Sequence, residues 1–567
     1  MTIVLTPVWQ NGVQKLKMTS QARPQLKRGL TPPELNDEVH ETRCLTQLRG
    51  KVSDIERYIF LSALKEFDPH MFYRLCLKHM AEFTPIIYTP TVGQACQEFS
   101  HNYRRPEGLF VSIKDKGKIK SILNAWPKID DARISVVTDG SRILGLGDLG
   151  INGMPISIGK LSLYVAGAGI RPESTIPICL DLGTNTQKYL DDPLYLGLRK
   201  RRVPTDEMTA FMDEFMYEMS VQFPKLLVQF EDFSTDHAFL YLERYRDKYP
   251  VFNDDIQGTG AVVLSGFINA AKLASAASGQ PLTSHRILFF GAGSAGVGVA
   301  MQLMSFFTLE GLSEEEARDR IYLVDTQGLV YKARGELAEH KHYFARTDYT
   351  GPPLKSLLDV IEFVRPTALM GLSTTSNAFT QDVIQTMAAL NPLPIIFPLS
   401  NPVKLSECTF DDAVRYTNGK VLFASGSPFD ALNFQGQTLH PGQGNNMYIF
   451  PGLGLGAILA RCASVTDSMV EASSLGLANS LTPEEEEMNL LYPQIDRIRE
   501  ISAFIAMQEE EMNLLYHQID RIREISAFIA MQVIRAAQTA NVDRNPDLRR
   551  MSDDDLLTFV KSKMWNP

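Results

Sequence analysis

His285-Arg-Ile-Leu-Phe-Phe-Gly291-Ala-Gly293-Ser-Ala-Gly296 runs into the apolar stretch Val297 to Phe307, and Ile321-Tyr-Leu-Val-Asp325 follows. These residues decide the fold. A short apolar run, three spaced glycines, a helix-length apolar stretch and a second strand ending in an acid make a βαβ unit. The glycines permit a tight turn and close backbone approach, and the first amides of the helix face a pyrophosphate. Gly291, Gly293, Ser294, Ala295 and Gly296 are therefore candidate cofactor-binding residues. Asp325 stands where a carboxylate ordinarily bonds the adenosine ribose and favours NAD. Its neighbour Thr326 is small and neutral, and Lys332, Arg334 and Lys341 follow, charges that could hold a 2′-phosphate or form a solvated basic face. Strand-like runs at 367–373, 394–400 and 421–425 extend this unit into a Rossmann-type domain. An earlier match, Gly145-Leu-Gly147-Asp-Leu-Gly150, is weaker because Asn152-Gly153 and Pro155 interrupt the segment after it.

Upstream, two acidic pairs each close an apolar run: Gln229-Phe-Glu231-Asp232 and Val251-Phe-Asn-Asp254-Asp255. Adjacent strand ends in an open α/β sheet converge on one crevice, where four carboxylates repel unless a cation or bases neutralise them. An all-oxygen set suits Mg²⁺ or Mn²⁺, while helix capping is the alternative use for such acids. Ile156 to Ala166 reads as a helix apolar nearly all round, with Lys160 as its one charge. A buried lysine tends to a lowered pKa, as a general base needs; the other reading is a lysine that snorkels to the surface. At 83–91 two prolines predict an extended segment around Tyr88, which on its own is more often a packed aromatic than a catalyst.

A chain of 567 residues exceeds one ordinary core. Its net charge of −10 argues against a general nucleic-acid binder. Six scattered cysteines without a Cys-x-x-Cys pair fit free thiols in a reducing compartment. No apolar run approaches the ~18–20 residues that span a bilayer, so no membrane partner is expected. The first 33 residues carry no acid but five basic side chains. Their low arginine and serine content favours a cytoplasmic protein with a basic arm over a mitochondrial-matrix one. Near the C-terminus, 485–508 and 509–532 are a tandem repeat of 24 residues, identical except that Pro493 becomes His517. A shift of 24 residues at ~100° each turns an amphipathic stripe by about 120°, so one straight helix cannot bury both copies. One copy is expected in place and the other bulged or protruding.

The ordered stretches Tyr88-Thr-Pro-Thr-Val-Gly, Thr138-Asp-Gly-Ser-Arg-Ile-Leu-Gly-Leu-Gly-Asp-Leu-Gly, Gln229-Phe-Glu-Asp-Phe, Phe252-Asn-Asp-Asp-Ile-Gln-Gly-Thr, Leu399-Ser-Asn-Pro, Phe423-Ala-Ser-Gly-Ser-Pro-Phe and Pro441-Gly-Gln-Gly-Asn-Asn resemble the malic enzymes. The resemblance covers roughly 20–484 and 533–567; the repeat departs from it. It implies an α/β protein: an N-terminal helical domain (1–107), a parallel-sheet substrate domain (108–254, continued by 446–508), a Rossmann-type NAD(P)-binding domain (255–445) and a C-terminal helical tail with the second repeat copy (509–567). It further implies oxidative decarboxylation of L-malate to pyruvate and CO₂ by a homotetramer built as a dimer of dimers. Glu231, Asp232 and Asp255 resemble the ligands of Mg²⁺ or Mn²⁺. Lys160 resembles the general base, Asp254 its supporting carboxylate, and Tyr88 the acid that protonates C3 of enolpyruvate. Arg142 resembles the group on the C1 carboxylate and touches the cofactor. Asn401 and Asn445 resemble residues lining malate and nicotinamide. The small residue after Asp325, together with Lys341, implies NADP, with NAD as the alternative cofactor. A catalytically dead nucleotide sensor or assembly module is the rival of another class.

Overall fold

The computed structural model describes residues 2–10, 13–21, 36–127, 132–401, 403–493 and 522–565. A hairpin of β1 (Thr2–Gln10) and β2 (Val13–Gln21) opens it. Helices α1 (Asp37–Arg49), α2 (Asp54–Phe67), α3 (Pro69–Lys78) and α4 (Met80–Ile87) follow. Their starts are legible: Asn36 caps α1, Ser53 and Glu56 form a capping box on α2, and Asp68 caps α3. The expected extended segment at 83–91 is corrected in part. Pro85 lies inside α4, whose Met80, Phe83, Ile86 and Ile87 are buried, and the helix ends only at Tyr88. Burial of that apolar face offsets the hydrogen bond lost at the proline.

Two parallel sheets carry the rest. The first contains β3 (Leu109–Ser112), β4 (Ile134–Thr138), β5 (Thr175–Asp181), β6 (Leu227–Phe230) and β7 (Val251–Asn253), ordered β3-β5-β4-β6-β7. All four pairings are parallel, and the strand order reverses between β4 and β6. Helix α5 (Met154–Ala168) connects β4 to β5 and is buried along its whole length, as its composition requires. The second sheet contains β8 (Ile287–Phe290), β9 (Ile321–Asp325), β10 (Gly328–Leu329), β11 (Ala368–Gly371), β12 (Ile395–Pro398), β13 (Leu422–Ser425) and β14 (Gly442–Gln443). Its order is β10-β9-β8-β11-β12-β13-β14, parallel except for β10, with the reversal between β8 and β11. Ligands bind at such reversal points, outside the carboxyl ends of the strands.

Between the sheets, Asp254–Ser278 is long and apolar enough to cross a membrane by length and composition, which the sequence reading did not anticipate. It is a core helix instead, with most of its residues buried against both halves of the chain. All six cysteines are free and buried.

The repeat is resolved in an unanticipated way. The head of the first copy is in place: Leu491 and Tyr492 are buried, Tyr492 Oη donates to Val262 O (2.8 Å), and Tyr448 Oη donates to Pro493 O (2.9 Å). The tail of the second copy is also in place, within the helix Ile522–Thr539, whose Ala530, Met531, Val533 and Ile534 are buried. The tail of the first copy and the head of the second, 494–521, where the expected protrusion falls, lie outside the described residues. Because head and tail come from different copies, deleting 494–517 joins Pro493 to Gln518 and restores one uninterrupted copy. The deletion variant is expected to keep the melting temperature and helical circular dichroism of the full chain; calorimetry and circular dichroism check it, and a variant that fails to fold would show that the inserted residues are structural.

Candidate active site

At the reversal point of the first sheet, three loops meet. The loop after β4 carries Arg142; β6 ends in Glu231 and Asp232; β7 ends in Asp254 and Asp255. Glu231, Asp232 and Asp255 bring carboxylate oxygens within 4.8 Å of one another. Asp232 adopts the left-handed conformation (φ 57°), rare for a residue with a side chain. That turn lets its N–H donate to Asp255 Oδ2 (2.7 Å) while its Oδ1 accepts from Leu144 N–H (3.1 Å). Its Oδ2 is buried with no hydrogen-bond partner among the described residues. Burial, then the neighbouring carboxylates, push Glu231 and Asp232 well above the usual carboxylate range and Asp255 to about 6, with Lys160 opposing. Buried oxygens that repel one another, one of them orphaned, form a donor set that fits a hard divalent cation.

Asp254 opens a π-helical turn, Asp254–Gly258, that leads into the helix Thr259–Ser278. Such turns re-aim side chains at functional sites. A Cβ at Gly258 would lie 1.9 Å from Asp254 Oδ1, so only glycine leaves room for this carboxylate.

Lys160 is completely buried on α5. Its ammonium is paired with Asp254 Oδ2 and lies 3.1 Å from Glu231 Oε1 and 4.4 Å from the centre of the Phe450 ring. The expected lowering of its pKa is therefore corrected. Burial does pull it down, but Asp254 and Glu231 outweigh burial and hold Lys160 well above the usual lysine value. Tyr88 is buried, its ring centre 5.4 Å from Lys160 Nζ, and burial drives its phenol upward. Lysine and tyrosine are thus neighbours, although they lie 72 positions apart in sequence (160 − 88).

On the second sheet, the glycine turn is built as its spacing implies. Gly291 has φ 121°, and a Cβ there would meet Leu372 O at 2.4 Å. A Cβ at Gly296 would meet Gly291 O at 2.0 Å, whereas at Gly293 it would meet nothing, leaving an open approach for a ligand. Ser294 and Ala295 begin the helix Ser294–Leu309. The glycines of 145–150 differ: Gly150 N–H and Leu149 N–H donate to Gly140 O, closing that loop on itself. Asp325, at the end of β9, is bound by Arg334 through both oxygens (2.8 and 2.6 Å) and by Lys341 Nζ (2.8 Å). Burial alone would raise Asp325, but Arg334 and Lys341 prevail and hold it at about 2.

One cavity joins the two halves. Tyr88, Arg142, Glu231, Asp232, Asp255, Ala295, Asn401 and Asn445 all line it. Asn401 Oδ1 accepts from Ser427 Oγ (2.5 Å), and Asn445 Oδ1 accepts from Met447 N–H (3.0 Å). Arg142 Nη1 donates to Thr235 Oγ1 (2.5 Å). Lys160 and Asp254 sit behind this wall rather than in it. Sequence reading overlooked Asn446, whose Nδ2 donates to Asp254 Oδ2 (3.0 Å) and Thr259 Oγ1 (2.9 Å). The Asn445-Asn446 doublet was its only signal.

Comparison with known proteins agrees with this geometry. Residues 66–246 match the family model "Malic enzyme, N-terminal domain", and 256–512 match "Malic enzyme, NAD binding domain". The chain is 48% identical over 483 residues to the NADP-dependent malic enzyme of Dictyostelium discoideum, covering 85% of this chain and 88% of that one. With the NADP-dependent malic enzyme of Rattus norvegicus it shares 44% over 497 residues, 87% and 86% of the two chains. Among solved structures, the Entamoeba histolytica malic enzyme superposes with a TM-score of 0.56 at 21% identity, over 95% of this chain and 91% of that one. A malic enzyme from Pyrococcus horikoshii gives 0.52 at 22% identity, over 85% and 89%; both show the shared fold. With both family domains present in order and relatives this similar along nearly their whole length, the chain belongs to the malic enzyme family.

Proposed function

We propose that this chain converts L-malate and NADP⁺ to pyruvate, CO₂ and NADPH, with Glu231, Asp232 and Asp255 holding Mg²⁺ or Mn²⁺. The observation that carries the proposal is Lys160, buried between Asp254 and Glu231 beside Tyr88, behind a cavity lined by the three carboxylates. Bound there, the divalent cation supplies Lewis-acid polarisation of the substrate oxygen and neutralises the carboxylates around it. Lys160 loses one of the two charges that keep it protonated once Glu231 holds a cation. The neutral amine, its proton released to solvent before reaction, accepts the C2 hydroxyl proton as hydride leaves C2 for the nicotinamide, and Asp254 pairs with the ammonium so formed. Tyr88 delivers a proton to C3 after the C3–C4 bond breaks and CO₂ leaves. Arg142 pairs with the C1 carboxylate, and Asn401 and Asn445 position malate against the nicotinamide. In this reading the substrate and nucleotide domains divide at Asp254/Asp255, and the subunit works as a homotetramer. Six buried free thiols support a reducing compartment such as the cytoplasm.

The direct test follows nicotinamide reduction and CO₂ release from malate, with Mn²⁺ or chelator, comparing NADP⁺ with NAD⁺. Metal-dependent, NADP-preferring turnover is expected; CO₂ release without nicotinamide reduction would defeat the proposal.

Support for NADP comes from Asp325. With both oxygens taken by Arg334 and Lys341, it is poorly placed to bond ribose hydroxyls, and the pair of cations exceeds its charge. Lys341→Gln removes one charge-assisted bond, worth about 1.5–3 kcal/mol. The expected result is a fall of about 10–100-fold in kcat/KM for NADP⁺ with little change for NAD⁺. An unaltered NADP⁺/NAD⁺ ratio would contradict this reading of Lys341.

A further inference from the structure

We propose that Glu407, which touches neither the cavity nor any residue given a role above except through Ser400, is the positioning residue for the nucleotide-side wall of the active site. The inference rests on the function proposed above. Two loops form that wall, one after β11 and one after β12, contributing Leu372, Thr374, Leu399, Ser400 and Asn401 to the cavity. The Glu407 side chain is fully buried between them. Its Oε1 accepts from Ser373 N–H (3.0 Å) and Ser373 Oγ (2.9 Å) on one loop and from Ser400 Oγ (2.5 Å) on the other, while Oε2 accepts from Ser400 N–H (3.4 Å). Its backbone carbonyl accepts from Phe379 N–H (2.9 Å), closing the first loop. Among the described residues no cation forms an ion pair with it, so this buried carboxylate is satisfied by the two loops themselves.

The arrangement is specific in two further respects. At Gly371, where β11 ends, a Cβ would fall 2.5 Å from Glu407 Cδ, so the strand end is shaped around this side chain. Thr374 has φ 57°, a left-handed conformation that a β-branched residue adopts only when its surroundings impose it. Its N–H donates to Ser400 Oγ (2.8 Å), the hydroxyl that Glu407 orients. One carboxylate therefore holds Thr374 in a strained turn and anchors the residue before Asn401. Geometry held in this way is what orientation of cofactor and substrate requires.

The test uses the full-length protein and NADPH fluorescence titration, together with KM and kcat for NADP⁺ and malate. Glu407→Gln converts one acceptor oxygen into a donor facing donors; an NADPH Kd and an NADP⁺ KM raised about tenfold are expected. Ser373→Ala removes one partner without burying a new group and is expected to raise the Kd about threefold. Val414→Ala, in the core behind the same sheet, lowers stability without removing a hydrogen bond to either loop and is expected to keep the wild-type Kd. Wild-type affinity in Glu407→Gln overturns the proposal, as does an equal loss of affinity in Val414→Ala at matched melting temperature. If Glu407→Gln does not fold, wild-type affinity in Ser373→Ala overturns it. Failure of the wild-type protein to turn over malate would instead count against the function proposed above, since the NADPH titration reads the loops without the reaction.

Discussion

Lys160→Ala is expected to reduce malate turnover by about 10⁴-fold, the upper end of what a positioned proton-transfer group contributes. The upper end applies because the substitution removes the proposed base and also strips Asp254 and Glu231 of their shared cation. Breaking a buried pair in this way costs about 3–5 kcal/mol, so the melting temperature of the metal-free protein should fall as well. Lys160→Arg separates the two roles. Arginine keeps the charge but cannot release its proton at accessible pH, so turnover should stay lost while much of the stability returns. The measurements are kcat with malate, NADPH binding by fluorescence, and thermal unfolding of the metal-free protein. Wild-type-like turnover in either variant would remove Lys160 from the role of base.

Asp255→Asn carries the second large effect. It removes one of the three proposed carboxylate ligands, so apparent affinity for Mn²⁺ should fall by at least the 10–100-fold that loss of a mere supporting partner costs, and turnover with it. Stability supplies a readout independent of activity. Glu231, Asp232 and Asp255 bind protons more tightly folded than unfolded. For carboxylates raised in this way, their contribution to stability is present below the ordinary carboxylate range and lost as pH rises through the folded values, about 6 for Asp255. Near neutral pH the metal-free cluster therefore opposes folding. Mn²⁺ at about 100 times its Kd should return about 2.7 kcal/mol, seen as a rise in melting temperature. Metal-free Asp255→Asn should melt above the metal-free wild type at neutral pH, because one repelling charge is gone, and should respond little to Mn²⁺. A wild-type-sized Mn²⁺ response in this variant would exclude Asp255 as a ligand.

What could be read from sequence alone was what short-range physics decides. Glycine spacing at 291–296, the apolar strand before it and Asp325 after it are local requirements of a dinucleotide turn, and the structure builds them within a residue or two. The same holds for the helix around Lys160, since a segment apolar on every side can only be buried. Tertiary structure decided the rest, because charge and hydrogen bonding there depend on partners far along the chain. The sign of the Lys160 pKa shift turned on Asp254, 94 positions away (254 − 160), which no local pattern places beside it. Local pattern offered Lys332, Arg334 and Lys341 equally as a phosphate site or a solvated face; only the tertiary structure lays Arg334 and Lys341 on both oxygens of Asp325. Glu407 carried no sequence signal, for its meaning lies in two loops that meet only once β11 and β12 pair. Pattern set which segments are buried and where the backbone must turn; long-range packing set which buried charges face one another, and the chemistry follows from those pairings.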